Sequence, residues 1–184
     1  MPIRSWADYR RYLAEDLRAY DPSLTQWRPW LAIQYPQLAF QRKLRLAELL
    51  MNRARGPVAR AVSQVFRLRA RTAGMKLGFS IPPNVFGPGL TIAHWGTIVV
   101  NDRAVVGARC RLHPGTVIGV KDDAVATIGD DCYLGPGCKL VGGVVLGNHV
   151  TVGANAVVTH SFPDGSTLVG IPAKARPQAE PQPG

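Results

Sequence analysis

The stretch Ile128 to Val158, IGDDCYLGPGCKLVGGVVLGNHVTVGANAVV, sets an aliphatic residue at every sixth position: Ile128, Leu134, Leu140, Leu146, Val152 and Val158. Glycine directly follows the mark at Gly129, Gly135, Gly147 and Gly153. A period of six fits neither a helical turn nor the two-residue alternation of an ordinary strand. It is the hexapeptide signature of a parallel β-helix, in which three repeats close one triangular coil. Coils then stack at the inter-strand spacing of about 4.8 Å. The aliphatic marks point into the prism, and glycine suits its tight corners.

Upstream the marks continue at Val106, Leu112 and Ile118, with Gly107 and Gly119 behind two of them. Phe86, Ile92 and Ile98 keep the same step, and a slip of two residues then moves the frame to Val100. A second break replaces six residues by ten between Ile118 and Ile128. The surplus segment, Val120 to Thr127, is predicted to protrude, and breaks in a solenoid often map to its binding face. Four residues after each mark lies a second inward position, held by Cys110, Thr116, Cys132, Cys138, Val144, Val150 and Ala156. All three cysteines therefore read as small buried hydrophobes, not as metal ligands or a disulfide framework.

The 184 residues suit one domain, or one with a small second. No run is apolar enough for a membrane span, and the N-terminus has no signal-peptide core. A cytoplasmic protein is expected. The net charge of +10 is confined to residues 1–77, which hold 15 Lys and Arg against 5 Asp and Glu; residues 78–184 hold 7 of each. The N-terminal segment reads as helical. Ser5 and Asp8 form a capping box for a helix to about Tyr20, and Phe40, Leu44, Ala47 and Met51 have helical spacing before Gly56-Pro57. Val58, Val62, Val65 and Leu68 make a further stripe, with Arg60, Arg67, Arg69 and Arg71 nearby. Such a helix is most often a packing stripe beside a solvated face; the other reading is contact with an anionic membrane at its inner surface. No nucleic-acid motif accompanies the charge. The expected layout is α+β: a basic α-helical domain at 1–77, a left-handed parallel β-helix at 78–175, and a proline-rich disordered tail at 176–184.

Four histidines are the main candidates for chemistry. His94 lies two residues after the mark Ile92, and His113 one after Leu112. Allowing for the slip, Leu112 is one full coil beyond Ile92, so the two histidines share a side of the prism on adjacent coils, about 5–8 Å apart. His149 and His160 lack such a partner. A neutral imidazole is a good general base near pH 7, able to take an alcohol proton during attack on a thioester. The tetrahedral oxyanion then needs an N–H or polar donor.

The segments GPGLTIAHWGTIVVN (87–101), RLHPGTVIG (111–119), 128–158 and GIPAKA (170–175) resemble the left-handed β-helix acyltransferases, most of all the serine acetyltransferase family. The resemblance covers about half of the chain. It implies an acetyl-CoA-dependent O-acetyltransferase, with His94 as the base and acetyl-CoA held along the coils between subunits of a homotrimer, without a metal. Gly119, Ala154 and the turn Gly170-Ile171-Pro172-Ala173-Lys174 would lie along the coenzyme, Lys174 near its phosphates. His113 would orient the acceptor, bind the oxyanion or support His94.

The departures matter. The family's aspartate before the histidine is Ala93 here, and its second, orienting aspartate aligns near Ser80. The family's Arg-His pair in the extended loop is replaced by Lys121-Asp122-Asp123. The pattern is similar to the short exopolysaccharide and capsule members, which acetylate sugar hydroxyls. Trp95, which either stacks on a sugar or packs at a subunit boundary, joins Asp122 and Asp123 as candidate acceptor contacts. The expected acceptor is a sugar or surface-polysaccharide precursor, with L-serine as the alternative. The short helical segment and the terminal Pro-Gly point to a trimer outside the family's complex with cysteine synthase. The γ-carbonic anhydrase pattern, two histidines five residues apart on one coil, is missing, and a purely structural coil leaves the grouping of His94, Trp95 and His113 unexplained.

Overall fold

The computed structural model describes residues 2–176. Four helices lead the chain: α1 (Trp6–Tyr20), α2 (Leu31–Gln34), α3 (Pro36–Arg53) and α4 (Gly56–Leu77). The Ser5–Asp8 capping box is formed in both directions and opens α1. Fourteen short strands follow among the described residues. The first seven are β1 (Phe79–Ser80), β2 (Thr91–Ile92), β3 (Ile98–Val100), β4 (Val105–Val106), β5 (Arg111–Leu112), β6 (Val117–Gly119) and β7 (Thr127–Ile128). The rest are β8 (Tyr133–Leu134), β9 (Lys139–Val141), β10 (Val145–Leu146), β11 (Thr151–Val152), β12 (Val157–Val158), β13 (Thr167–Val169) and β14 (Lys174–Ala175).

The strands build the three faces of a left-handed β-helix. One face runs β1-β3-β6-β9-β12, the second β4-β7-β10, the third β2-β5-β8-β11-β13-β14. All pairings are parallel except β13 with β14. Registers stack the six-residue marks in columns: Val100, Ile118, Leu140 and Val158 on the first face, and Ile92, Leu112, Leu134, Val152 and Leu168 on the third. These marks are buried, and so are Cys110, Cys132 and Cys138, all free thiols.

The open end of a solenoid exposes unpaired backbone groups that must be covered. Polar side chains of α1 and α3 cover them here. Arg45, fully buried, donates to the Phe86 and Gly87 carbonyls at 2.9 and 2.7 Å. Asp16 accepts the Gly89 and Leu90 N–H groups at 2.8 and 3.0 Å. Gln41 donates to the Leu90 carbonyl at 2.6 Å, and Glu48 accepts the Asn84 N–H at 2.8 Å. Arg45 is itself paired with Asp16 at 2.9 Å and Glu48 at 3.2 Å, which compensates the burial of all three charges.

One expectation changes. The stripe Val58, Val62, Val65 and Leu68 faces away from the body; α4 packs instead through Ser63, Ala70 and Gly74. Small residues allow a close approach, since a Cβ on Gly74 would meet the Phe40 ring at 2.9 Å. The tail expected from 176 lies outside the described residues apart from Arg176, whose N–H donates to the Thr167 carbonyl at 2.7 Å.

Candidate active site

The two-residue slip between Ile92 and Val100 is spent in a bulged corner carrying His94, Trp95 and Gly96. Gly96 has φ of 141°, and a Cβ there would press on Pro114 at 3.1 Å. The corner lies directly over the turn of the next coil. The Ala93 N–H donates to the Leu112 carbonyl at 2.9 Å, and the Gly115 N–H to the Thr97 carbonyl at 2.6 Å. The residue before His94 is thus bonded to the residue before His113, and the two histidines stand on adjacent coils, as the repeat frame predicts.

Their surroundings differ. His94 is exposed, and its ring makes no hydrogen bond among the described residues. Trp95 beside it is 63% exposed. His113 is half-buried with its ring 4.9 Å from that of Tyr133. Burial, then the charges of Arg111 and His94, lower its proton affinity below the ordinary histidine value. Its Nε2 is enclosed with no partner, a position a neutral ring tolerates far better than a charged one. Tyr133 escaped the sequence reading, although the repeat frame puts it in register with Arg111 on the neighbouring coil.

The same corner continues down the prism: the Gly137 N–H donates to the Pro114 carbonyl at 2.9 Å and the Asn155 N–H to that of Pro136 at 2.8 Å. Ala154 therefore lies exposed two coils below His113. The turn at 170–173 docks at the end of this column. Val157 N–H donates to the Gly170 carbonyl at 3.0 Å, and Ala173 N–H to the Val157 carbonyl at 2.8 Å. The Ile171–Pro172 bond is cis; Pro172 and Lys174 are exposed and Ala173 is buried.

Gly119 closes β6 on the opposite edge of the first face. A Cβ on Gly129 or Gly135 would strike backbone of the next coil at 2.6 Å, so stacking requires those glycines. A Cβ on Gly119 would meet nothing nearer than the Leu140 carbonyl oxygen at 3.9 Å. Coil packing gives no reason for glycine there.

Asp122 and Asp123 are not gathered with the histidines within one chain. They form the tip of a two-residue hairpin in which Lys121 and Ala124 exchange backbone hydrogen bonds at 3.1 and 2.9 Å. Both have positive φ, 51° and 58°, as a type I′ turn requires. This hairpin sits across the face from His113, and Asp123 pairs with Arg103 at 2.9 Å. Among the described residues no group of three or more His, Cys, Asp or Glu could hold a metal ion, and no helix is long and apolar enough to cross a membrane.

The stacked six-residue coils are those of the hexapeptide-repeat class. The bacterial transferase hexapeptide (six repeats) family matches residues 126–160. A serine acetyltransferase of Helicobacter pylori (strain J99 / ATCC 700824) is 31% identical over 169 residues, covering 89% of this chain and 94% of that one. The serine acetyltransferase of Mycobacterium tuberculosis (strain ATCC 25618 / H37Rv) is 31% identical over 145 residues, 76% of this chain and 60% of that one. The crystal structure of a serine acetyltransferase from Brucella abortus strain S19 has the same fold, with TM-score 0.74 and 22% identity over 93% of this chain and 70% of that one. The chain belongs to the serine acetyltransferase family, and it is an acyltransferase.

Proposed function

We propose that the chain transfers an acetyl group from acetyl-CoA to the hydroxyl of L-serine, with His94 as the general base. The observation that supports the chemistry is the unengaged His94 ring standing beside His113 at the bulged corner. The likeness to the Helicobacter pylori enzyme over 94% of its length supports the acceptor.

As the hydroxyl oxygen attacks the thioester carbonyl, His94 takes its proton. The tetrahedral intermediate collapses by breaking the C–S bond, and the departing thiolate takes the proton back from the imidazolium. An acetyl ester, free CoA and a neutral His94 result. The oxyanion is stabilised by N–H donors, and a neutral His113 would add a hydrogen bond there rather than a charge. Gly119, Ala154 and the turn Gly170, Pro172 and Ala173 line the coenzyme, with Lys174 toward its phosphates. Asp122 and Asp123 meet an acceptor only if the hairpin reaches His94 of a neighbouring subunit, which a homotrimer would provide. Use of acetyl-CoA suits a cytoplasmic setting.

A sugar hydroxyl is the second reading. No carboxylate stands at Ala93 or Ser80, the hairpin tip carries two acids that repel the carboxylate of a free amino acid, and the open Trp95 face suits a sugar ring. This is the reading of the exopolysaccharide-type members. CoA thiol release from acetyl-CoA with L-serine, sugars and nucleotide sugars separates the two. Release with L-serine supports the first reading. Release with sugars alone overturns it in favour of glycan acetylation, and release with none overturns both.

A further inference from the structure

We infer that Arg111 receives the carboxylate of the acceptor and so selects an amino acid over a neutral alcohol. The inference deepens the L-serine reading and rests on it. Arg111 is a cation that the fold leaves without a partner. Its neighbours along the coil are engaged: Arg103 pairs with Asp123 at 2.9 Å, and the Arg109 guanidinium is held by both carboxylate oxygens of Asp131. Arg111 is exposed and makes no ion pair or side-chain hydrogen bond among the described residues.

Position gives this free charge a use. Arg111 lies on the outer side of the third face, in register with Thr91 and Tyr133. Thr91 is buried under the end of α1, its hydroxyl donating to the Ala19 carbonyl at 3.2 Å. Arg111 is therefore the first outward residue of this face to stand open. Two residues on is His113, whose ring packs on Tyr133. Arg111, Tyr133 and His113 thus form one cluster beside the corner that carries His94. Burial and then the Arg111 charge disfavour a proton on His113, so the cluster presents one cation and a neutral ring. His94 is three residues beyond Thr91, the register partner of Arg111, which sets an upper limit of about 11 Å between the two Cα atoms.

Chemistry selects the occupant. L-Serine carries its hydroxyl and its carboxylate on neighbouring carbons, so a hydroxyl at His94 leaves the carboxylate within that span. A carboxylate leaving water needs a counter-charge and donors, and a planar guanidinium offers two parallel N–H bonds. The other cation at this corner is engaged: Lys139 Nζ donates to the Gly115 and Gly137 carbonyls at 3.3 and 2.5 Å. A sugar hydroxyl would bring no anion for Arg111 to receive.

The test uses the full chain and compares L-serine with serinol, which keeps the amine and hydroxyl but has a second hydroxymethyl group in place of the carboxylate. CoA release is followed in wild type, Arg111→Gln and Arg111→Lys. Arg111→Gln should raise KM for L-serine by about 10- to 100-fold, with kcat within a few-fold and KM for acetyl-CoA unmoved. The preference for L-serine over serinol should collapse in that variant, and Arg111→Lys should restore part of it. Thermal midpoints should match wild type, because the side chain replaced is exposed. An unchanged KM for L-serine in Arg111→Gln overturns the inference and leaves the L-serine reading standing. Equal losses with both acceptors overturn it too, since Arg111 would then act only by supporting His113. A rise in KM for acetyl-CoA alone would assign Arg111 to the coenzyme phosphates and contradict the inference. Wild type that releases no CoA with L-serine removes the acceptor reading itself, and this inference with it.

Discussion

The Tyr20 hydroxyl clamps both backbone groups of Ile92. It accepts the Ile92 N–H at 3.0 Å and lies 3.1 Å from the Ile92 carbonyl oxygen, with Gln41 Oε1 at 2.5 Å as the other acceptor for its single proton. Tyr20 thus stands in for the strand that a preceding coil would have supplied, two residues before His94. Burial pushes its hydroxyl far above the ordinary tyrosine range, so it stays a neutral donor. Tyr20→Phe keeps the ring and orphans a buried N–H, and should cost about 1–3 kcal/mol, read by urea unfolding. A cost near zero would mean that the backbone of β2 needs no cap.

Arg45 ties α1, α3 and the first coil together through its bonds to Asp16, Glu48, Phe86 and Gly87. Arg45→Met fills much of the volume but leaves two buried carboxylates without their cation. A loss of about 3–5 kcal/mol is expected. A midpoint of denaturation close to wild type would show that the helices hold to the coil by apolar packing alone.

Gly119 and Gly129 occupy the same repeat position, each following its aliphatic mark, yet only Gly129 is crowded. Gly119→Ala should leave the thermal midpoint unchanged and raise KM for acetyl-CoA. Gly129→Ala should lower the midpoint by several degrees, since its methyl meets the Gly147 carbonyl oxygen at 2.6 Å. Equal KM values for wild type and Gly119→Ala would detach Gly119 from the coenzyme.

His113 carries a pH signature. Its folded proton affinity lies below that of the free side chain, whose pKa is 6.5, because of burial and then Arg111 and His94. The unfolded chain therefore binds more protons as pH falls through this range, so stability is full above 6.5 and declines below it toward the lowered folded value. His113→Phe keeps a ring against Tyr133 and removes the enclosed nitrogen. It should be as stable as wild type at pH 7.5 and lose less stability between pH 7 and 5. Parallel pH curves for the two proteins would assign the acid loss to other groups.

Much of the architecture is legible in the repeat. The marks, the second inward column with its three cysteines, the slip at Ile98–Val100 and the protrusion after Ile118 all follow from counting by six. The pairing of His94 with His113 follows from the same count, because one coil is one translation along the prism. The opposition between His113 and the Asp122–Asp123 hairpin was within reach of that count as well: a strand, Val117–Gly119, lies between them. The cap was not legible. Asp16, Tyr20, Gln41, Arg45 and Glu48 answer to backbone groups about forty to seventy residues away, a demand that helical periodicity does not carry. Nor was the orientation of α4. Periodicity shows that Val58, Val62 and Val65 share a face, but the close approach to α3 selects the smaller residues Ser63, Ala70 and Gly74 for the inside.

The most direct measurement is the rate of CoA release from acetyl-CoA with a competent acceptor in wild type and His94→Ala. His94 is exposed and its ring makes no hydrogen bond among the described residues, so the substitution should leave the thermal midpoint unchanged. Loss of general-base catalysis should lower kcat by about 10²–10⁴-fold with little change in KM for acetyl-CoA. A variant that turns over within a few-fold of wild type would remove His94 as the base and contradict the proposed mechanism.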